Sequence, residues 1–231
     1  MSAPSIRARV RAELTDEIKA VARRHLATDG ANLSLRAVAR DMGMVSSALY
    51  RYFPSRDDLL TTLIIDAYDA IGAAVEAADA RVDRTDLRGR WYAVWHAVRD
   101  WALANPAEYA LIYGSPVPGY AAPQDTIGPA IRTPVTLVRI LADGVAAGLL
   151  TAPGGGAALP EPVRADVARL VDSDFPGVPA ELLTLGMVGW IHLFGAVSFE
   201  LFGQLNNVIF ARREAFQYQM ELMADLIGLP A

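Results

Sequence analysis

The chain has 231 residues, a net charge of −5, 53% hydrophobic residues and 20% charged residues, enough apolar surface for one or two globular domains and too little charge for a disordered chain. Cysteine is absent, which excludes a disulfide framework, a thiolate metal site and a cysteine nucleophile. The charge is uneven: residues 1–60 hold ten Arg/Lys against seven Asp/Glu, a net of +3, so the rest carries −8.

Apolar residues at Val10, Leu14, Ile18 and Val21 predict a first helix over Ile6–Thr28 with one buried face, stopped near Gly30. No long apolar run follows Met1, so no secretory leader is expected. Ser34 can cap a short second helix carrying Leu35, Val38 and Ala39. Gly43 breaks it, and a third helix is predicted from Val45 to Tyr52, ended by Pro54. Ser55 caps a longer helix running to about Ala80, with Asp57 and Asp58 placed on the positive end of its dipole. Further helices are predicted over 86–104, 106–114, 129–150, 160–173, 179–204 and 207–228. Two loops separate some of them, "GSPVPGYAAPQDTIGP" and "TAPGGGAALP". No period-two strand pattern appears, and the fold class is all-α.

Two short helices around a glycine turn, on a longer preceding helix, have the form of a helix-turn-helix. In that geometry Leu49 and Phe53 anchor the second short helix. Its leading end presents Val45, Ser46, Ser47 and Ala48, which can approach bases or phosphates closely. Tyr50, Arg51 and Tyr52 can donate to phosphates, as can Arg36 near the start of the preceding short helix. Ser55 and Arg56 open the next helix, where free backbone N–H groups and a cation form an anion site. The basic tail Arg7, Arg9 and Arg11 either reaches a neighbouring phosphate or stays solvated, and His25 is read as a packed or surface histidine.

"SLRAVARDMGMVSSALYRYFPSRDDLL" (34–60) resembles the DNA-binding signature of the TetR family of bacterial transcriptional regulators, through Leu35, Val38, Ala39, Gly43, Leu49, Tyr50, Tyr52, Phe53, Ser55 and Leu59. More weakly, "GSPVPGYAAP" with "GWIHLFGAVSFELFGQL" is similar to a C-terminal subgroup with a Trp-His-Gly signature. Trp190 and Gly195 match it, and Phe194 stands where the histidine would precede the glycine. The resemblance implies a three-helix DNA-binding domain (1–54) and a C-terminal ligand-binding and dimerisation domain (55–231), joined by the helix from Ser55. It also implies a homodimer through the last two helices, a palindromic double-stranded operator and a small-molecule effector that releases a repressor.

The aromatic residues Trp91, Trp95, Tyr109 and Tyr113, with His192 and Phe194, either fill the core or line an apolar ligand cavity. The histidines have no metal-binding spacing, and no metal, cofactor or catalytic motif is expected; the chain is not read as an enzyme. The uncharged run 182–199 approaches membrane-spanning length, but His192, Thr184 and its glycines favour a helix buried in protein. The reading is a cytoplasmic regulator with no membrane partner. Its rival is a membrane-associated or small-molecule-binding helical protein that uses no DNA.

Overall fold

The computed structural model describes residues 6–30, 33–152, 154 and 158–230. Gly155 and Gly156 of the second predicted loop lie outside the described residues. Among the described residues there are ten α-helices, one short 3-10 turn and no strand. The helices are α1 (Ile6–Asp29), α2 (Leu35–Asp41), α3 (Ser46–Leu49), α4 (Arg56–Asp79), α5 (Leu87–Ala104), α6 (Pro106–Tyr113), α7 (Ile127–Ala146), α8 (Glu161–Asp174), α9 (Ala180–Leu201) and α10 (Arg212–Ile227).

The chain packs as two compact units. The first runs to Asp69 and takes in Asn105–Pro129; the second is Ala70–Ala104 with the chain from Ala130 onward. Helix α4 therefore contributes to both.

The core of the first unit gathers Ile18, Ala22, Val38, Leu49, Leu59 and Leu60, all out of reach of solvent. Its shell includes Leu111, Val117 and Tyr120, so α6 and the loop after it close over this core. Charged ties reinforce the packing. Lys19 and Arg23 of α1 reach Asp66 of α4 at 3.1 and 2.8 Å, and Arg23 reaches Glu108 of α6 at 2.9 Å. Tyr120 and Thr61 share a hydrogen bond of 2.8 Å. The predicted buried face of α1 holds from Ile18 onward but not at its start: Val10 is 52% exposed.

The second unit is built on Trp91, Trp95, Val94, Leu141, Leu182 and Met220. Helix α9 is long and apolar enough to cross a bilayer by length and composition. Here it packs against α5, α8 and α10, burying Leu182, Leu183, Leu193 and Val197 on one face. Two of its glycines explain the close approach. A Cβ on Gly189 would sit 2.7 Å from Trp91 Cη2, and one on Gly186 would sit 2.7 Å from Leu141 Cδ1, while Gly195 faces open space. Gly189→Ala should therefore lower stability by about 1–3 kcal/mol through overpacking, measured by urea unfolding; an unchanged midpoint would refute the close packing.

Helix α9 also carries Glu200, nearly buried and bound through both oxygens to Arg99 of α5, at 2.8 and 2.6 Å. A deeper charge cluster joins the end of α4 to α5 and α7. Arg90 is completely buried and donates to Asp79 and Asp143, and Arg84 closes the same two carboxylates from outside.

Candidate nucleic-acid interface

The N-terminal helix-turn-helix, the head of the chain, is assembled by caps and anchors. The hydroxyl of Ser34 accepts from the Ala37 N–H at 3.4 Å and starts α2, whose Leu35, Val38 and Ala39 turn inward. Gly43 lies at φ 65, the left-handed region that only glycine enters without strain. The turn closes with Gly43 N–H donating to the Arg40 carbonyl at 3.0 Å and Met44 N–H to the Ala39 carbonyl at 2.9 Å. The third helix is shorter than predicted. After Leu49 the backbone turns, with Tyr52 and Phe53 N–H both donating to the Leu49 carbonyl. That turn delivers Phe53 into the core beside Leu49, as the sequence pattern required, before Pro54 ends the segment.

The anchoring fixes what faces outward. Val45, Ser47, Tyr50 and Arg51 are exposed, and Ser46 and Ala48 are half-buried. Tyr50 is 43% exposed, leaving its ring partly packed. The Arg51 guanidinium meets no partner among the described residues, while its carbonyl accepts from Arg11 at 3.2 Å. Arg36 stands exposed in the first turn of α2.

Three of the sequence-predicted contacts are engaged inside the head. Tyr52 packs against its core with the Arg11 guanidinium 5.0 Å above the ring. The Ser55 hydroxyl accepts from the Asp58 N–H at 3.1 Å and donates to the Asp58 carboxylate at 2.7 Å, the predicted cap. Arg56 donates to the Leu33 carbonyl at 3.2 Å and lies 3.6 Å from Asp57. Sequence reasoning passed over Arg40, whose exposed side chain has Asp41 at 3.7 Å. His25, read from the sequence as a packed or surface histidine, shares a hydrogen bond of 2.8 Å with Asp41 and fastens α1 to α2.

The six aromatic and histidine candidates for ligand contact fall in different units. Tyr109 and Tyr113 belong to the first, where their rings lie 5.1 Å apart, tilted by 44°, and Tyr113 meets Tyr68 edge-on at 5.9 Å. Burial pushes the Tyr113 and Tyr68 phenols above their ordinary range, so both stay neutral donors. Trp91 and Trp95 are fully buried in the second unit, with Trp95 against Phe216 at 5.7 Å and His192 at 6.1 Å. His192 shares a hydrogen bond of 3.0 Å with Gln219, and Phe194 meets Trp190 edge-on at 6.2 Å. The buried Trp95 Nε1–H finds no acceptor among the described residues. A cleft of about 340 Å³ opens beside His192 and Gln219, walled by Ile191, Gly195, Phe199 and Leu205.

Residues 18–63 match the family described as "Bacterial regulatory proteins, tetR family", and residues 91–223 match the "Tetracyclin repressor-like, C-terminal domain". The chain is 41% identical over 197 residues to HTH-type transcriptional regulator Rv1816 of Mycobacterium tuberculosis (strain ATCC 25618 / H37Rv), covering 84% of this chain and 83% of that protein. Mb1846 of Mycobacterium bovis (strain ATCC BAA-935 / AF2122/97), another HTH-type transcriptional regulator, matches to the same extent. Among solved structures, the regulatory protein SCO4313 superposes with a TM-score of 0.76 at 35% identity, over 96% of this chain and all of that one. RolR in complex with resorcinol shares the fold, at a TM-score of 0.50 and 16% identity over 97% of this chain and 98% of that one. The helix-turn-helix built around Gly43 and the helical units that follow it are those of a DNA-binding transcriptional regulator, and the chain belongs to the TetR family.

Proposed function

We propose that this regulator is a cytoplasmic repressor that grips a palindromic operator as a homodimer and lets go when a small, largely apolar molecule binds. The observation that carries the reading is the outward face of the head: Arg36, Tyr50 and Arg51 stand exposed around a short helix anchored by Leu49 and Phe53. In this reading Val45, Ser46, Ser47 and Ala48 approach base edges. Arg36, Tyr50 and Arg51 bind phosphates, joined by Arg40. Tyr52, Ser55 and Arg56 act chiefly by holding the turn and the start of α4 in place.

An exposed apolar stripe supports the homodimer. It runs along α9 through Val188, Ile191 (63% exposed), Phe199 and Phe202, and along α10 through Tyr218, Leu222 and Leu226. A face this apolar on two adjacent helices calls for cover, and a second copy covers it by two-fold symmetry. Two heads related by that axis would read a palindrome. The unpartnered Trp95 N–H supports an effector site in the second unit, where a polar group on an otherwise apolar molecule would accept from it.

Selection of bound duplexes from random DNA by the full-length protein tests the reading. The expected product is a palindrome whose affinity falls steeply with salt. Enrichment of no sequence, or of one lacking two-fold symmetry, would overturn it.

A further inference from the structure

The turn that carries Tyr50 and Arg51 is short of one backbone donor. Arg51 N–H donates to the Ala48 carbonyl, and Tyr52 and Phe53 N–H to that of Leu49. The residue that would reach the Arg51 carbonyl at the same spacing is Pro54, which has no N–H. Among the described residues no other backbone N–H takes that carbonyl. Its donor is a side chain 40 positions earlier in the chain, Arg11 of α1, whose Nη2 lies at 3.2 Å.

The same guanidinium lies over the next residue of the turn, with its carbon 5.0 Å from the centre of the Tyr52 ring. One side chain thus holds Arg51 by its backbone and Tyr52 by its ring. Its footing is fixed. Arg11, Leu14 and Ile18 fall on one stripe of α1. Ile18 is fully buried in the core that also takes Leu49 and Phe53, and Leu14 and Tyr52 pack against that core. All of these residues lie in the first unit. Arg9 of the same basic tail behaves differently, with Glu13 of its own helix 3.7 Å away. Arg11 therefore meets neither of the expectations for that tail: it is not simply solvated, and its guanidinium is already engaged on the turn.

We propose that Arg11 is a positioning residue for DNA binding, which braces the turn bearing Tyr50 and Arg51 and touches no phosphate itself. The inference rests on the docking of that turn on the phosphate backbone proposed above. Beyond Leu49 the turn has no helical ladder to hold it. Without Arg11 the Arg51 carbonyl must turn to water, and the turn is free to aim its side chains away from a duplex. Apparent affinity falls with the fraction of heads that keep the docking shape. A cation over an exposed ring contributes a factor of about 2–5, which becomes about 5–30 over the two heads of the proposed dimer.

The test compares Arg11→Gln, Arg51→Ala and the double variant. Each full-length protein is titrated by fluorescence anisotropy against the duplex selected by the parent, over a range of salt, with helicity and melting recorded. The expected result for Arg11→Gln is native helicity, a Kd raised by about 5–30-fold and an unchanged slope of log K against log salt, because no phosphate contact is lost. In the Arg51→Ala background the same change should cost about twofold or less, since Arg11 acts through the turn that presents Arg51. A role in stability alone would lower the melting temperature and leave the Kd of the folded protein unchanged, and that result would overturn the brace. So would a slope reduced by about 1.8 together with a full, additive loss in the double variant, which would make Arg11 a phosphate contact in its own right. A parent that selects no duplex, or an Arg51→Ala variant that binds like the parent, would overturn the docking of the turn, and the brace with it.

Discussion

Replacing Arg90 with methionine is expected to lower stability by about 3–5 kcal/mol, the cost of leaving buried charge without its partner. Arg90 is 0% exposed. Its Nε and Nη2 bind the two oxygens of Asp79 at 2.7 and 3.2 Å, and Nη1 binds Asp143 at 2.9 Å and the Arg84 carbonyl at 3.3 Å. Methionine keeps most of the stem volume, so the cavity contribution is small and the loss is electrostatic. Among the described residues Asp79 would retain only the outer Arg84, at 3.3 Å. Urea unfolding followed by tryptophan fluorescence measures the effect, since Trp91 is the next residue. Adding Asp79→Leu to Arg90→Met removes the stranded carboxylate and should recover part of the loss, because replacing a buried pair by apolar groups is often neutral or better. A loss under about 1 kcal/mol for Arg90→Met would mean that water reaches the cluster and that the packing described is wrong.

That cluster also marks where the sequence stopped being legible. Turn and cap residues act locally, so the stop at Gly30, the turn at Gly43 and the cap at Ser55 were visible one by one, and the order of helices followed. Apolar spacing around Leu49 and Phe53 likewise told which side of the head faces in. Periodicity gives the direction of a face but not whether anything covers it, which is why Val10 belongs to the pattern and yet stands exposed. Arg90 and Arg99 read as surface residues in a sequence. Their partners Asp143 and Glu200 lie 53 and 101 positions away, and nothing local announces them. The same limit affects the candidate site. Folding brings the Leu33 carbonyl to Arg56 Nε and the Arg11 guanidinium over the Tyr52 ring, and neither neighbour is announced near those residues in the sequence. Tyr109 and Tyr113 follow the tryptophan helix directly in sequence, yet α6 packs with α1 in the first unit.

The largest functional effect is expected from Tyr50→Phe combined with Arg51→Ala. Both side chains emerge from the turn that follows α3, and neither holds the core: Leu49 and Phe53 on either side do that, fully or nearly buried. The variant should therefore keep its helicity and its assembly. A hydrogen bond to a charged group contributes about 1.5–3 kcal/mol. Loss of the Arg51 contact from the two heads of the proposed dimer then costs about 3–6 kcal/mol, roughly a 10²–10⁴-fold rise in Kd, with the tyrosine hydroxyl adding to it. Salt dependence gives an independent reading. Each cation withdrawn from a phosphate reduces the slope of log K against log salt by about 0.9, so two heads should reduce it by about 1.8. Because phosphate contacts carry no sequence information, binding to the selected duplex and to unrelated DNA should weaken together. Tyr50→Phe alone separates the neutral donor from the cation, since it should weaken binding without changing the slope. A double variant that binds within about threefold of the parent, with the same slope, would show that this turn does not meet the phosphate backbone, and the docking of the head would have to be sought on the face of α2 that carries Arg36 and Arg40.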